Sequence, residues 1–401
     1  MQAAIFGFGT IGSGVAEVLT KNREQIARAI PGGIDVKYIL DIRDFPDSPF
    51  ADLIVHDIDI ILSDPEIKVI CETMGGKEPA NTFTHRALEK GISVCTSNKE
   101  LVEAYGPSLL AEAAAHNCSY LFEASVGGGI PLISTLLHSF SQEKIMSVTG
   151  ILNGTTNYIL TKMQQEGSSY EDALKEAQAL GYAERDPKAD VEGHDAGRKI
   201  SILSSLVCRK TVRFDDICVE GISGISAEDF CLAGQKGYTI KLIGRASFPE
   251  EEGAAPEVIT APFLIPKGHP LYDVNDVFNG ILITGNMVDR VMLYGRGAGK
   301  CPTASAVVSD MILAAENAGK NLPVEWDPEV LSPAAPGDSC YAFYVRAAQA
   351  AGQAFRKAFE GCIADQWDDA FLTEKMREEN FKSRLKTAGD VLSWIRILPE
   401  A

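Results

Sequence analysis

The chain has 401 residues, of which 45% are hydrophobic and 23% are charged, a composition typical of globular proteins with large cores. Its formal net charge of −18 argues against nucleic acid and anionic membrane surfaces as partners, because both attract basic patches. The nine cysteines are scattered singly, no apolar run is long enough for a transmembrane helix, and the N-terminus lacks the basic region of a signal peptide. We therefore predict a cytoplasmic protein with no nucleic-acid or membrane partner.

The first third of the chain alternates short apolar runs with helical segments, which indicates a parallel, doubly wound α/β sheet. Strands are predicted at "AAIFGFG", "DVKYILDI", "IKVICETMG", "ISVCTSN" and "CSYLFEAS", and helices over 11–29, 78–90 and 99–116. Ligands of such sheets bind at the carboxyl ends of the strands. This rule selects four segments as candidate ligand contacts: Gly7–Gly12, Glu72–Gly76, Thr96–Lys99 and Glu123–Gly129.

The pattern changes between 130 and 300, where helices are predicted first and strands afterwards. The helices span 130–139, 155–166, 170–180 and 193–207, and the strands span 257–266, 278–284 and 287–294. Helices grouped before strands indicate an α+β domain. We expect the sheet of this domain to serve dimer contacts. A further helix is predicted over 301–318.

Four prolines lie in 322–338, which we interpret as a linker. Beyond it the pattern predicts a small βαββαβ unit, with strands over 341–347, 362–366, 370–376 and 390–398 and helices over 348–359 and 379–387. The predicted domains are therefore 1–129 together with 301–320, then 130–300, a linker at 321–338, and a C-terminal module at 339–401.

The segment "GFGTIG" places glycines at 7, 9 and 12, directly after the first strand and before the first helix. Gly7 permits a tight turn, Gly9 lets the backbone approach a pyrophosphate, and Gly12 allows close helix packing. This context predicts a Rossmann-type dinucleotide site. At the end of the second strand, Asp41 would favour NAD and Arg43 would favour NADP, and the sequence leaves this choice open.

A charged stretch, "ERDPKADVEGHDAGRK", occupies residues 184–199. It is compatible with a solvated surface, a metal site or a pocket for a charged substrate. Asp195 and Lys199 are four residues apart, hence on one helix face, and this spacing alone is most often that of a surface ion pair. The order of the acids does not fit an EF-hand, and a lysine among them disfavours a metal.

The same stretch closely resembles the signature of the homoserine dehydrogenase family. Its positions are filled by Ala177, Gly181, Tyr182, Ala183, Asp186, Pro187, Asp190, Val191, Gly193, Asp195 and Lys199. Further stretches resemble the family in order: "GFGTIGSGV", "ETMGGKEPA", "TSNKELV", "EASVGGGIPLI", "LNGTTNYIL" and "GRGAGKCPTASAVVSD". The resemblance covers about 1–320, and residues 339–398 resemble more loosely the ACT regulatory module of bacterial members.

The resemblance implies a reversible, NAD- or NADP-dependent reduction of L-aspartate 4-semialdehyde to L-homoserine, in threonine, methionine and isoleucine biosynthesis. Lys199 would donate the proton, Asp195 would hold substrate and lysine, and Lys99 would share a catalytic or cofactor role. Glu184 would bind the substrate amino group, and Asp190 would contact the substrate or a residue that binds it. The sequence leaves open which of Asp190 and Asp195 contacts the substrate directly. The cofactor contacts it implies are Gly7, Phe8, Gly9, Thr10, Ile11, Gly12, Thr73, Thr96, Ser97, Lys99, Gly181 and Gly299.

The resemblance also implies a monovalent-cation site, usually sodium, formed by Glu123 and the carbonyls of Val126, Gly128 and Ile130. A glycine-rich hinge is the alternative interpretation of "EASVGGGIP". In the C-terminal module, "RAAQAAGQA" lacks the Asp and Pro expected of an amino-acid-binding ACT turn, so we expect a dimerisation element rather than a threonine site. A homodimer or homotetramer is expected.

Two other functions fit parts of the sequence. One is a dehydrogenase of the same architecture for a different amino-acid aldehyde, which the complete signature disfavours. The other is a non-catalytic sensor of amino acids or nucleotides, in which Lys99, Glu184 or Lys199 would have been lost. All three are present.

Overall fold

The computed structural model describes residues 1–251, 253–347, 352–367, 369–388 and 391–399. The chain forms two compact units. The first unit comprises Met1–Gln142, Ser205–Thr211 and Gly295–Val330, and the second comprises Glu143–Ser204, Val212–Tyr294 and Leu331–Ala401.

Strands and helices are numbered in chain order. The strands are β1 (Gln2–Phe6), β2 (Asp35–Leu40), β3 (Ile54–Val55), β4 (Ile67–Glu72), β5 (Ser93–Thr96), β6 (Tyr120–Leu121), β7 (Ile145–Ile151), β8 (Lys210–Thr211), β9 (Cys218–Val219), β10 (Tyr238–Ser247), β11 (Glu257–Pro266), β12 (Phe278–Gly285), β13 (Asp289–Arg296), β14 (Asp327–Val330), β15 (Cys340–Tyr341), β16 (Phe343–Ala347), β17 (Ile363–Gln366), β18 (Ala370–Thr373), β19 (Met376–Arg377) and β20 (Val391–Ile397). The α-helices are α1 (Thr10–Lys21), α2 (Arg23–Ala29), α3 (Ile58–Leu62), α4 (Ala80–Glu89), α5 (Lys99–Ala115), α6 (Gly154–Glu166), α7 (Tyr170–Ala179), α8 (Lys188–Val191), α9 (His194–Cys208), α10 (Ala227–Gln235), α11 (Lys300–Glu316), α12 (Gly352–Ala358) and α13 (Glu378–Ala388).

The first unit is built on a parallel sheet with the strand order β3-β2-β1-β4-β5-β6. Its inner strands β1, β4 and β5 are buried at almost every position, as expected when helices cover both faces of a parallel sheet. The order reverses between β1 and β4, and ligands of such sheets bind outside the carboxyl ends of the strands at this point. Helix α11 returns to this unit and packs on α1, where a Cβ atom at Gly14 would lie 3.0 Å from that of Ala304. The predicted α/β class is confirmed.

The second unit is built on a mixed sheet with the order β13-β12-β7-β10-β11-β20-β16-β18-β17, with β9 added beside β11. The strands β7 and β10 were not predicted from the sequence. Strand β10 carries Lys241, Gly244 and Arg245, residue types that are uncommon inside a buried strand. Tertiary contacts override this local preference, because Lys241 is fully buried and donates to the carbonyl oxygen of Val274 at 2.7 Å.

From β16 to β20 the C-terminal strands and helices follow the predicted βαββαβ order, except that a short additional strand, β19, lies between β18 and α13. Strand β20 pairs in parallel with β11 at Phe263–Arg396 and Leu264–Ile397, so these strands extend the sheet of the second unit. Residues 348–351 of the predicted helix and Asp390 of the predicted last strand lie outside the described residues. The assignment as an ACT-like module remains a prediction.

Two segments differ in detail from what the sequence predicted. The supposed linker contains a strand, β14, which pairs in parallel with β8. Its prolines do not prevent this, because a strand at the edge of a two-stranded sheet needs hydrogen bonds on one side only. The helix expected over 130–139 is mainly a π-helical turn, Thr135–Ser139.

Asp229 on α10 ties this helix to the C-terminal strands. Its fully buried carboxylate accepts hydrogen bonds from Arg346 Nε at 2.7 Å, from the Tyr344 hydroxyl at 3.1 Å, and from the Ser393 hydroxyl. Burial opposes its ionisation, but the hydrogen bond and charge of Arg346 dominate and lower the pKa of Asp229 below its ordinary value.

We expect Asp229→Asn to lower the free energy of unfolding by about 2–3 kcal/mol, because the half-buried Arg346 loses its buried anionic partner. Glu228→Gln is the matched control: Glu228 also pairs with Arg346, but its side chain is 76% exposed, so a cost below about 0.5 kcal/mol is expected. Urea titration at neutral pH measures both. Since the folded-state pKa of Asp229 is lowered, its stabilisation is complete above the ordinary value of 3.8 and is lost as the pH falls further. Equal effects of the two variants would contradict this assignment.

Candidate functional site

The glycine turn of the first unit is shaped to admit an anion. Gly7 has φ +86°, and a Cβ atom there would lie 2.9 Å from the Cα atom of Met74. A Cβ atom at Gly12 would lie 2.0 Å from the carbonyl oxygen of Gly7, so the turn and the helix are in close contact. Gly9, in contrast, faces open space and is the N-cap of α1, which no side chain among the described residues caps. The first N–H groups of α1 and its dipole are therefore available to a phosphate.

The strand next to β1 supports this turn. The hydroxyl of Thr73, directly after β4, donates to the carbonyl oxygen of Gly7 at 2.8 Å and contacts that of Phe6 at 3.1 Å. Thr96, at the end of β5, is fully buried and donates to a carboxylate oxygen of Glu72 at 2.6 Å. The Thr73 and Thr96 hydroxyls thus support the loops around the turn.

The two candidate ribose selectors bind each other. One carboxylate oxygen of Asp41 accepts from the backbone N–H and Nε of Arg43, and the other accepts from Arg43 Nη2 and from the backbone N–H of Phe8 at 2.7 Å. Burial opposes ionisation, but these hydrogen bonds lower the pKa of Asp41 to about 2. Four donors fill the acceptor sites of a carboxylate, so a ribose hydroxyl can bind Asp41 only by displacing one of them. The Arg43 side chain is 59% exposed.

Lys99 and Gly299 each lie at a helix start in the first unit. Lys99 is half-buried and begins α5, whose N-cap Asn98 accepts from the backbone N–H of Leu101 at 3.1 Å. Gly299 has φ +120° and is the N-cap of α11. The helix that Gly299 starts is the one that packs on α1.

In the second unit, Asp195 and Lys199 form a buried ion pair. Lys199 Nζ donates to Asp195 Oδ2 at 2.7 Å and to the carbonyl oxygen of Leu152 at 2.8 Å. Their side chains are 8% and 10% exposed, respectively, so the surface pair that the spacing alone favoured is wrong. Buried ions are retained where every charge is compensated by a partner and hydrogen bonds, as they are here.

Asn153 links this pair to Asp190, and the sequence analysis did not single it out. Its side-chain amide donates to Asp190 Oδ1 at 2.7 Å and to Asp195 Oδ2 at 2.8 Å. Its amide oxygen accepts from the backbone N–H of Thr156 at 2.8 Å and so caps α6. The available signal was "LNGTT", an Asn directly before a helix start.

The loop before α8 is exposed. Glu184 and Gly181 both face solvent, and a Cβ atom at Gly181, which has φ +75°, would contact nothing within 4 Å. Asp186 accepts from the backbone N–H of Lys188 at 3.2 Å, which is a local turn. Thus Glu184 is open to a ligand, whereas Asp186 supports the start of α8.

Of the four residues predicted to bind a cation, Glu123 differs from the other three in its hydrogen bonds. The carboxylate of Glu123 accepts from the backbone N–H groups of Leu132 at 2.6 Å, Ile133 at 2.8 Å and Ser134 at 2.7 Å. Three of the four acceptor sites of this carboxylate are therefore occupied, which leaves one site on Oε2 for a cation. The carbonyls of Val126, Gly128 and Ile130 accept no backbone hydrogen bond among the described residues, and such oxygens suit a hard cation.

The described part of the chain contains no cluster of three or more His, Cys, Asp or Glu residues that could hold a metal ion. Within the same residues, no helix has the length and apolar character needed to cross a membrane. The nine cysteines, all of them described, are free thiols.

Comparison with known proteins gives consistent results. A family model for homoserine dehydrogenase matches residues 131–312, and one for the homoserine dehydrogenase NAD-binding domain matches residues 7–123. The chain is 40% identical over 321 residues to the homoserine dehydrogenase of Bacillus subtilis, covering 79% of this chain and 73% of that protein. A crystal structure of a homoserine dehydrogenase from Thiobacillus denitrificans is similar with a TM-score of 0.90 and 32% identity, covering 99% of this chain and 98% of that one. A hyperthermophilic archaeal homoserine dehydrogenase in complex with NADPH is similar with a TM-score of 0.64 and 27% identity, covering 78% and 97%.

The bridging position of Asn153 leads to a stability prediction. Asn153→Ala removes both the helix cap and the donors to the buried Asp195 and the half-buried Asp190, so we expect it to lower the free energy of unfolding by about 2 kcal/mol or more. Asn153→Ser retains a capping oxygen and should recover about 1 kcal/mol of this loss. Urea titration measures both variants. If the two destabilise equally, the cap contributes nothing, and if neither does, the amide bridge has no role in stability.

Proposed function

The chain belongs to the homoserine dehydrogenase family, and from this premise we propose that Lys199 is the proton donor of its reaction. The enzyme is an NAD(P)-dependent oxidoreductase that interconverts L-aspartate 4-semialdehyde and L-homoserine. The dinucleotide, when bound, gives a hydride to the aldehyde carbon or takes it from homoserine. The protein must supply the proton that converts the resulting alkoxide into the hydroxyl group.

The hydrogen bonds of Lys199 support this role. An ammonium group has three donors, and Asp195 and the carbonyl of Leu152 accept two of them at 2.7 and 2.8 Å. The third N–H can be directed at the carbonyl oxygen of the substrate. In a buried site such a donor stabilises the negative charge that develops on this oxygen and then transfers its proton. The buried Lys199–Asp195 pair is the observation on which the proposal rests.

The remaining carboxylates are suited to the amino acid part of the substrate. We propose that Glu184, which is exposed, binds the α-ammonium group. Asp190 is half-buried and is joined to Asp195 through Asn153, so we propose that it assists from beside the pair. Lys99 is proposed to share a catalytic or cofactor role, as the family resemblance implies.

The glycine turn is proposed to hold the pyrophosphate, with Gly9 and the first N–H groups of α1 as its contacts. Phe8, Thr10, Ile11, Ser97, Gly181 and Gly299 remain predicted cofactor contacts. For the ribose, the saturated Asp41 carboxylate and the exposed Arg43 guanidinium favour NADPH over NADH, because Arg43 can turn to a 2′-phosphate. The NADPH complex of the archaeal relative is consistent with this choice.

Family membership and composition support two proposals, one on assembly and one on location. We propose at least a homodimer, which light scattering of the purified protein would test. We also propose a cytoplasmic location, since nine free cysteines fit a reducing compartment, and cell fractionation would test it.

We further propose that the carbonyl oxygens of Val126, Gly128 and Ile130 hold a sodium ion, while Glu123 contributes by fixing the segment that follows. Turnover should then rise several-fold when NaCl replaces choline chloride at constant ionic strength, because the cation orders this loop. Initial rates at 340 nm across the salt series measure the effect. Equal rates in sodium and choline would exclude a functional cation here.

The proposed function is tested by mixing homoserine with NAD or NADP and following absorbance at 340 nm. We expect Lys199→Met to lower kcat by about 10²–10⁴-fold, because the proton donor is lost. Lys199→Arg keeps the positive charge but cannot release a proton near neutral pH, so a similar loss is expected with better-preserved stability.

Lys188→Met, in the same charged stretch but exposed on α8, is the matched control and should keep normal turnover. Titration with homoserine and thermal melting show whether each variant is folded and binds substrate. Near-normal turnover of Lys199→Met with intact substrate binding would exclude Lys199 as the proton donor.

A further inference from the structure

Glu72 is a buried acid with no ion-pair partner among the described residues. It is the last residue of β4, at the point where the strand order of the first unit reverses, and it is 0% exposed. Burial raises the pKa of its carboxyl group. A carboxyl group without a cation is costly to bury unless hydrogen bonds compensate it. The groups that provide these bonds indicate what Glu72 does.

One carboxylate oxygen holds the loop behind the glycine turn. Glu72 Oε1 accepts from the backbone N–H of Met74 at 2.8 Å. The Cα atom of Met74 is the atom that a Cβ atom at Gly7 would meet at 2.9 Å. The adjacent Thr73 donates to the carbonyl oxygen of Gly7 at 2.8 Å. Glu72 therefore fixes the loop against which the glycine turn rests.

The other carboxylate oxygen holds the start of α5. Glu72 Oε2 accepts from the Thr96 hydroxyl at 2.6 Å, and that hydroxyl oxygen accepts from the backbone N–H of Asn98 at 2.9 Å. Asn98 caps α5 by accepting from the backbone N–H of Leu101 at 3.1 Å, and Lys99 is the first residue of this helix. The position of Lys99 thus depends on a chain of hydrogen bonds that begins at Glu72.

A third contact closes the network into a ring. Asn98 Nδ2 donates to the carbonyl oxygen of Gly76 at 2.6 Å, which joins the loop after β5 to the loop after β4. The two loops are therefore connected twice, through Glu72 and through Asn98. Loops with two such connections move together, and a change at Glu72 would alter the spacing between them.

We propose that Glu72 is a positioning residue that sets Lys99 relative to the glycine turn. The inference rests on the proposed roles of Lys99 and of the turn. As a positioning residue, Glu72 itself contacts neither substrate nor cofactor. It acts through Thr96 and Asn98 on one side and through the loop 73–76 on the other.

The test is a double-mutant cycle with Glu72→Gln and Lys99→Ala. An amide has the shape of the carboxyl group but only one acceptor oxygen, so either Met74 or Thr96 loses its acceptor. We expect Glu72→Gln to lower kcat/KM by about 10- to 100-fold in the wild-type background, the effect of a misplaced catalytic group. In the Lys99→Ala background it should cause no further loss, because the group that it positions is already absent.

Two further variants keep the test decisive. Thr96→Val removes only the hydroxyl link and should show the same dependence on Lys99, which covers the case that Glu72→Gln does not fold. Glu378→Gln is the matched control, since Glu378 is also 0% exposed but lies in the second unit, where it binds Arg396 at 2.7 Å. It should leave turnover unchanged even if the melting temperature falls.

The outcomes separate the inference from the proposed function. Near-normal turnover of Lys99→Ala overturns both the role of Lys99 and the inference. If Lys99→Ala is impaired, but Glu72→Gln has no effect or lowers kcat/KM equally in both backgrounds, only the inference is overturned. The predicted loss in one background and its absence in the other supports it.

Discussion

A carboxylate that is buried in the protein loses its hydrogen bonds to water and needs donors from the protein instead. This requirement determines the geometry of the segments on which the proposed function depends. The buried Lys199–Asp195 pair is the clearest case, since each ion has a partner and additional hydrogen bonds. Asn153 donates hydrogen bonds to both Asp190 and Asp195, and it also caps α6. One amide therefore couples the geometry of the charged site to the start of a helix.

Buried acids have comparable structural roles elsewhere. Glu72 joins two loops at the carboxyl edge of the parallel sheet, Glu123 holds the segment that follows it through three backbone N–H groups, and Asp229 ties α10 to the C-terminal strands. These hydrogen bonds join separate segments of the chain or fix loops that have no helical or sheet hydrogen bonds of their own. A buried acid near a candidate site can therefore hold the surrounding backbone in place without binding a metal or substrate itself.

The signals that predicted function best were those tied to backbone conformation. The glycines of "GFGTIG" could be interpreted because only a residue without a side chain tolerates the φ of Gly7 and the contact at Gly12. The predicted α/β order followed from hydrophobic runs of a definite length. By contrast, β10 was missed because Lys241 and Arg245 resemble surface residues until the sheet around them is known. The strand β14 was missed because its partner, β8, is far away in the sequence.

The sequence by itself determined the dinucleotide turn, the α/β class and the family, because these depend on local backbone requirements and on residues in a fixed register. It could not determine whether Asp195 and Lys199 are exposed, since a spacing of four residues is the same on a surface and in a core. Only the tertiary structure decided that this pair is buried and that Asn153 joins it to Asp190. It also decided that Arg43 donates hydrogen bonds to the carboxylate of Asp41. The reason is physical: burial and hydrogen-bond partners are set by segments that meet only when the chain has folded.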